Sequence, residues 1–460
     1  MTSEAAGERP FVPRREQPAK NPNSYRITEA DSVGDGGPKQ KFRQNLSAIQ
    51  TLRTLETEGR SASEPEKATL VKYVGWGSFP QVFDDYNEEW ASEREVLRQA
   101  LTPEELEFAR STTLNAHYTS PVIVSAMYAA LERLRDQGGR VLEPACGIGH
   151  FSGLMPQAML QRSTITGIEI DPLTARIAKL LYPDADIRVQ PFEKAKLAAG
   201  FYDVAISNVP FGDYPVHDPR WNDYKFPIHD YFFAAGLEKV RPGGLVLFIT
   251  SKGTLDKLDS TLREHLSTQA ELLGAIRLPN DAFKRNAGTE VTTDIVMLRR
   301  LSVGEAPAGP AWKATAPFTN EVGEGFKLNE YFVQHPDLML GQMRLAGRMY
   351  RDREPTLEPD GRDLSEALRS VVSRLPSGIY RAQNERVAEP TLDQTMPAPD
   401  EVKPNAYCLN NGLVCYRDDD VLRSLNDLPL ETRARIRGLI QVRDAVRNCL
   451  RYQLDGSPED

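Results

Sequence analysis

The chain is poor in cysteine, and its cysteines make no pattern. Cys146, Cys408, Cys415 and Cys449 form no CxxC pair and no Cys/His cluster at zinc spacing. That excludes a disulfide scaffold and a finger-type metal site, and it predicts a reduced, cytoplasmic protein without metal. No apolar run approaches ~18 residues, so no membrane-spanning helix is expected. The opening stretch MTSEAAGERPFVPRREQPAK has no apolar signal core, so export is not expected. Positive charge is not in excess either. The 56 Lys and Arg stand against 65 Asp and Glu, a formal net charge of −9. This excludes a globally basic nucleic-acid coat but not a local basic cleft. There is no GxxxxGK[ST], hence no P-loop, and no internal repeat. What is present is a chain of 460 residues, 40% hydrophobic and 26% charged. That is the composition of a globular protein of about two or three domains.

Residues 1–40 are rich in Pro, Gly, Ser and charge and have no apolar period, which predicts a flexible arm. Phe42, Leu46, Ile49 and Leu52 then fall on one helical face. Ser63 with Glu66 and Thr102 with Glu105 have the spacing of capping boxes. Residues 41–113 therefore read as a small helical domain. VGWGSFPQVFD, Val74 to Asp84, reads as a packed helix-to-loop corner rather than a base-stacking platform.

From 114 to 300 strands alternate with helices. Strands are predicted at 140–143, 164–169, 186–190, 202–207, 244–250, 271–278 and 291–299. Helices are predicted at 121–136, 150–160, 172–181, 229–240 and 254–268. Continuous apolar strands between helices mean a mainly parallel sheet covered on both faces. The last two strands have no helix between them, which predicts a terminal antiparallel hairpin at the sheet edge. Residues 301–403 read as linker with short helical segments, including Asn329 to Met343. Residues 404–460 read as a hairpin around Asn410-Asn411-Gly412 followed by a long arginine-rich helix, Leu428 to Leu454. Its arginines suit phosphate contacts or, more often for such a face, plain solvation.

Two strand ends carry the chemistry. At the first, RVLEPACGIGHF runs from a buried strand through a small-residue turn into a helix. Small residues let the backbone approach a ligand, and a helix N-terminus favours an anionic group. Glu169, at the next strand end, can accept hydrogen bonds from ribose hydroxyls. This half alone also describes dinucleotide dehydrogenases. At the second end, SNVPF follows the apolar strand DVAI, so the polar Asn208 sits where open α/β sheets bind ligands. Pro210 holds Val209 extended, and Phe211 offers a ring. An Asn-Pro-type turn capping a strand is the structural alternative. His229-Asp230 reads as a helix start rather than an acid–base pair, and Cys146 as a small buried residue of the turn. The loop Asn286 to Val296 reads either as a wall of a base pocket or as an ordinary connection.

EPACGIGHF, GIEID and NVPF, in this order, resemble the gamma-class N6-adenine DNA methyltransferases, whose loop is Asn-Pro-Pro-Tyr or Asn-Pro-Pro-Phe. HYTSP, His117 to Pro121, resembles their Tyr-Thr-Pro-like cofactor segment, and HDYFFAAGLEKVRPGGLVLFITS resembles the helix, turn and strand of their catalytic domain. The resemblance covers about 115 to 300. VGWGSFPQVFD further resembles large phage and plasmid proteins that fuse such a methyltransferase to a helicase, of which this chain would be the N-terminal part or a standalone version. The resemblance implies a Rossmann-like fold dependent on S-adenosyl-L-methionine (SAM), and an adenine-specific DNA methyltransferase of a restriction-modification, anti-restriction or mobile-element setting. It implies double-stranded DNA, with a helicase domain or subunit, as partners, and no membrane. It implies catalytic roles for Asn208, Val209, Pro210 and Phe211. It implies cofactor contacts for Tyr118, Thr119, Glu143, Pro144, Ala145, Cys146, Gly147, Gly149, Glu169, Ile170, Asp171 and Phe192.

The second loop residue is Pro in the family and Val209 here, and Pro191 stands where the family often has an acid, with Gln190 and Glu193 as its neighbours able to substitute. Two alternatives follow. One is a catalytically degenerate, DNA-binding module serving a helicase. The other is a methyltransferase acting on RNA or protein glutamine.

Overall fold

A computed structural model of the chain describes residues 21–113, 118–134, 138–284, 290–347 and 353–379, and then 395–399, 402–403, 406–410, 413–418, 421–425 and 430–454. Two compact units divide it, Met1–Arg381 and Ala382–Asp460.

The first unit is built on one sheet. Its strands are β1 Arg140–Glu143, β2 Thr164–Glu169, β3 Asp186–Val189, β4 Tyr202–Asn208, β5 Val240–Ser251, β6 Ala270–Leu278 and β7 Thr293–Arg300. The order across the sheet is β3-β2-β1-β4-β5-β7-β6. The β1–β2, β2–β3, β1–β4 and β4–β5 pairs are parallel, and β7 runs antiparallel to both β5 and β6. This seven-stranded sheet is the Rossmann-like fold of SAM-dependent methyltransferases. The predicted terminal hairpin is present, but β7 inserts between β5 and β6 instead of adding beyond them. Insertion gives β7 two hydrogen-bonded neighbours and buries its run Thr293–Leu298 completely.

Helices follow the capping chemistry. They are α1 Pro38–Glu58, α2 Glu64–Leu70, α3 Ala91–Ala100, α4 Pro103–Ser111 and α5 Pro121–Arg133 ahead of the sheet. Within it come α6 His150–Leu154, α7 Gln157–Leu160, α8 Pro172–Leu181, α9 Ile228–Lys239, α10 Gly253–Asp256 and α11 Thr261–Ser267. Glu105 donates its N–H to the Thr102 hydroxyl at 3.2 Å and returns its carboxylate to Thr102 N at 3.0 Å, closing the expected box.

The helical segment does not stand apart from the sheet. Phe42, Ile49, Leu52, Trp76 and Phe79 share one buried cluster with Ile148, Leu173, Ile177 and Tyr182. Arg176 of α8 pairs with Glu56 at 2.7 Å and Glu105 at 2.9 Å. The predicted flexible arm is likewise packed from residue 21 onward. Asn21 Nδ2 donates to the carbonyls of Leu160 at 2.9 Å and Ser163 at 2.8 Å, and Tyr25 N donates to Leu181 O at 2.9 Å. Single hydrogen bonds of this kind leave no apolar period, so composition could not announce them.

The predicted linker also has more structure than expected. Strands β8 Thr315–Thr319 and β9 Gly325–Asn329 pair antiparallel, as do β10 Gln342–Gly347 and β11 Glu354–Glu358. Helices α12 Glu330–Gln334 and α13 Leu364–Val372 complete the unit. The second unit holds β12 Thr395–Pro397, β13 Tyr407–Asn410, β14 Leu413–Asp418 and β15 Val421–Ser424 in the order β12-β15-β14-β13, followed by α14 Leu430–Leu454. The turn residues 411–412 of the expected hairpin lie outside the described residues. No described helix is long and apolar enough to cross a membrane.

One buried ion pair ties β6 to β7. Arg277 is wholly buried; its Nε and Nη2 reach the two Asp294 oxygens at 2.8 Å each, and Nη1 reaches Asp256 at 2.7 Å. Removing Asp294 leaves the buried Arg277 charge with Asp256 as its one carboxylate partner among those named. Asp294→Ala is expected to lower stability by about 3–5 kcal/mol, read as the urea midpoint of the full chain. An unchanged midpoint would contradict that role.

Candidate active site

Strand β1 ends at Glu143, and the chain turns through Pro144 to Gly149 into α6. Cys146 N donates to Ile168 O at 2.9 Å, tying the turn to β2. Gly147 has φ +54°, a left-handed conformation that glycine adopts freely. Its N–H donates to Glu169 Oε2 at 2.8 Å, and Asp171 N donates to Glu169 Oε1 at 2.8 Å. One carboxylate thus joins the glycine turn to the start of α8. Burial pushes the Glu169 carboxyl up to about 7, while these N–H groups pull it back. Burial and the nearby Glu169 push Glu143 well above the usual carboxylate range. Burial also lowers His150 to about 4, so its ring is neutral, and it packs on Tyr118 with centroids 5.1 Å apart.

A cavity of about 370 Å³ lies at the C-terminal ends of β1, β2 and β4, within the usual range for ligand pockets. Tyr118 and Thr119 line it, with Glu143, Pro144, Ala145, Cys146 and Gly147 of the turn. So do Glu169, Ile170, Asp171 and Phe192. Asn208 and Pro210 stand on the same wall system, which brings the two strand ends into one cavity. Gln190, Pro191 and Glu193 line it beside Phe192.

Some expected residues are placed otherwise. Gly149 is not on the wall. It has φ +88°, and a Cβ there would meet the Tyr182 ring at 2.5 Å, so its smallness serves packing. The Val209 side chain is buried off the cavity, and Val209 N donates to Ile249 O at 3.1 Å, which fixes the peptide on β5. Phe211 is not on the wall, whereas Tyr214 is. Asp171 lines the cavity, but its carboxylate is engaged as the cap of α8, accepting from Leu173 N at 3.0 Å and from the Thr174 hydroxyl. His229 and Asp230 are buried in the first turn of α9, and Asp230 pairs with Lys257. His117 and residues 286–289 lie outside the described residues.

Sequence reasoning missed one wall entirely. Tyr73, just before the glycine-aromatic corner, Gly75 and Trp76 within it, and Phe108, Ser111 and Thr112 at the end of α4, also line the cavity. The corner is therefore both core and pocket wall. Its only signal was the unusual run VGWG, which by itself fits a packed corner equally well.

Among the described residues no group of His, Cys, Asp and Glu could hold a metal ion. No family model matches the chain. The chain is 29% identical over 284 residues to Defense against restriction protein B of Escherichia phage P1, an alignment covering 61% of this chain and 11% of that protein. The chain thus spans only that small share of the phage relative's length. It is 24% identical over 198 residues to the rRNA N(6)-adenosine-methyltransferase metl-5 of Caenorhabditis elegans, covering 40% of this chain and 86% of that protein. Among solved structures, a putative class I SAM-dependent methyltransferase of Listeria monocytogenes aligns over 59% of this chain and 91% of its own, at 19% identity and TM-score 0.38. A modification subunit of a putative type I restriction enzyme of Vibrio vulnificus aligns over 61% and 66%, at 17% identity and TM-score 0.36. At those scores the fold rests on the strand order itself rather than on either superposition.

Proposed function

We propose that the chain is a SAM-dependent methyltransferase acting on the N6 amine of adenine in DNA, in a restriction-modification or anti-restriction setting. One observation carries this reading: Glu169 and the glycine turn share a cavity with Asn208 and Pro210. The name of the phage relative supports the setting.

The residues fit the cofactor. Glu169 has oxygens fixed by two N–H groups and lone pairs left to accept from ribose hydroxyls. Glu143 and Asp171 are buried on the same lining, and Glu169 is half-buried beside them. When bound, SAM supplies an electrophilic methyl group on a sulfonium. At the other end, the adenine amine is a poor nucleophile because its lone pair is delocalised into the ring. The Asn208 side-chain oxygen and the Val209 carbonyl accept its two hydrogens, hold the nitrogen toward tetrahedral geometry and take up developing positive charge. The bond from Val209 N to Ile249 O anchors the Asn208–Val209 peptide, just before the Val209 carbonyl, although the residue is not proline. Tyr214, on the wall, offers the ring on which a flipped base stacks.

A second reading keeps the amine and changes the polymer. The worm relative is named for adenosine in rRNA, and its match covers most of that protein. The test is to incubate the full chain with labelled SAM and either unmethylated plasmid DNA or total RNA, then digest to nucleosides. N6-methyldeoxyadenosine is expected from DNA. Product in the RNA arm alone replaces DNA with RNA, and label in neither arm, with SAM bound, favours a degenerate module.

A further inference from the structure

Tyr73 and Trp76, at the start of the glycine-aromatic corner, carry two buried polar atoms that make no hydrogen bond of good geometry. Tyr73 and Trp76 are 0% and 1% exposed, and their rings meet edge-on with centroids 6.1 Å apart. Among the described residues neither the Tyr73 hydroxyl nor Trp76 Nε1 makes a hydrogen bond of good geometry, although the hydroxyl lies near Thr174 and Trp76. A buried polar group left unsatisfied costs about 1–3 kcal/mol, and native proteins carry few of them. Here both belong to residues on the wall of the cavity that holds Glu169.

Their placement is built. Asn45, wholly buried on α1, accepts from Val74 N at 2.9 Å and donates to Gly75 O at 2.6 Å. That one side chain clamps the peptide between the two aromatics, where Gly75 takes a left-handed φ of +63°. Phe79 and Phe83 each meet Trp76 edge-on at 5.8 Å. Tyr118, itself on the cavity wall, meets Tyr73 edge-on at 6.5 Å. An indole N–H can only donate. Burial, and then the charge of Asp171, push the Tyr73 phenol well above its usual range, so it stays protonated.

One cavity lining therefore carries two donors and a carboxylate acceptor, and a sugar hydroxyl suits both kinds of group, donating to one and accepting from the other. We propose that Tyr73 and Trp76 hold the ribose of the nucleoside cofactor, donating to the hydroxyl oxygens whose protons Glu169 accepts. This rests on the cavity being the SAM site. It makes the helical segment 41–113 part of the cofactor pocket.

The test is calorimetric titration of the full chain, wild type, Tyr73→Phe and Trp76→Phe, with S-adenosylhomocysteine and with its 2′,3′-dideoxy analogue. Each variant is expected to bind S-adenosylhomocysteine about 5–10-fold more weakly, the size of one lost neutral hydrogen bond, and to bind the dideoxy analogue like wild type. An equal loss for both ligands means a structural role only and overturns the proposal, as does no loss. Wild type that binds neither ligand overturns the cofactor reading beneath it. Tyr73→Phe removes a single oxygen, so it decides the question if Trp76→Phe does not fold.

Discussion

Asn208→Ala should methylate adenine about 10²–10³-fold more slowly than wild type at saturating SAM, the loss typical of removing one preorganised polar group from a transition state. The side-chain oxygen bonds most strongly once the amine nitrogen begins to carry positive charge, so its removal falls on kcat rather than on ground-state binding. SAM affinity should change little, because none of the residues proposed for the ribose, nor the glycine turn, lies at the end of β4. Single-turnover methyl transfer beside calorimetric SAM affinity reads both quantities. A variant with wild-type turnover would remove Asn208 from the chemistry, and one that lost SAM binding in equal measure would make it a cofactor residue.

Glu169→Ala should act the other way, weakening SAM binding about 10–100-fold, the size of one charge-assisted hydrogen bond or more. The carboxylate also holds Gly147 N and Asp171 N, so its loss loosens the turn that faces the ligand. The pH dependence has a definite sign. In the free protein the group titrates near pH 7, raised from the usual 4.5 by burial. Ribose hydroxyls bond the ionised form better, so binding lowers this pKa and releases a proton. Affinity should therefore rise with pH up to about 7 and level off above it. In Glu169→Ala that slope should vanish along with the affinity. Unchanged affinity, or a wild-type slope retained in the variant, would take Glu169 out of the site.

The parts of this molecule legible in the sequence are those written in short local signals. Strands β1 and β2 are short buried runs ended by an acid, and their bounds follow the residues themselves. Helix α8 is announced by Asp171-Pro172, a cap and a first-turn proline. The insertion of β7 between β5 and β6 was not legible, since hairpin patterning gives adjacency and not the side on which the second strand adds. The strand pairs of 315–358 were hidden because Pro317 and Pro355 sit inside strands, where proline usually argues against one. The pocket wall at Tyr73 and Trp76 was hidden for a different reason. The two residues lie some seventy positions before the glycine turn, and only the shared core of α1, α2 and α8 brings them to it. The placement of Gly149 shows the reverse case. A glycine inside a cofactor-like turn reads as ligand contact, yet the Tyr182 ring already accounts for its smallness.

We propose that one cavity joins a nucleoside site at Glu169 to an amine site at Asn208. A crystal structure of the full chain with S-adenosylhomocysteine tests it most directly. Ribose hydroxyls are expected in hydrogen-bond contact with the Glu169 carboxylate, with the ligand sulfur facing the Asn208–Pro210 segment across open space for a methyl group and an amine. A ligand bound elsewhere, or one whose sulfur points away from Asn208, would contradict it.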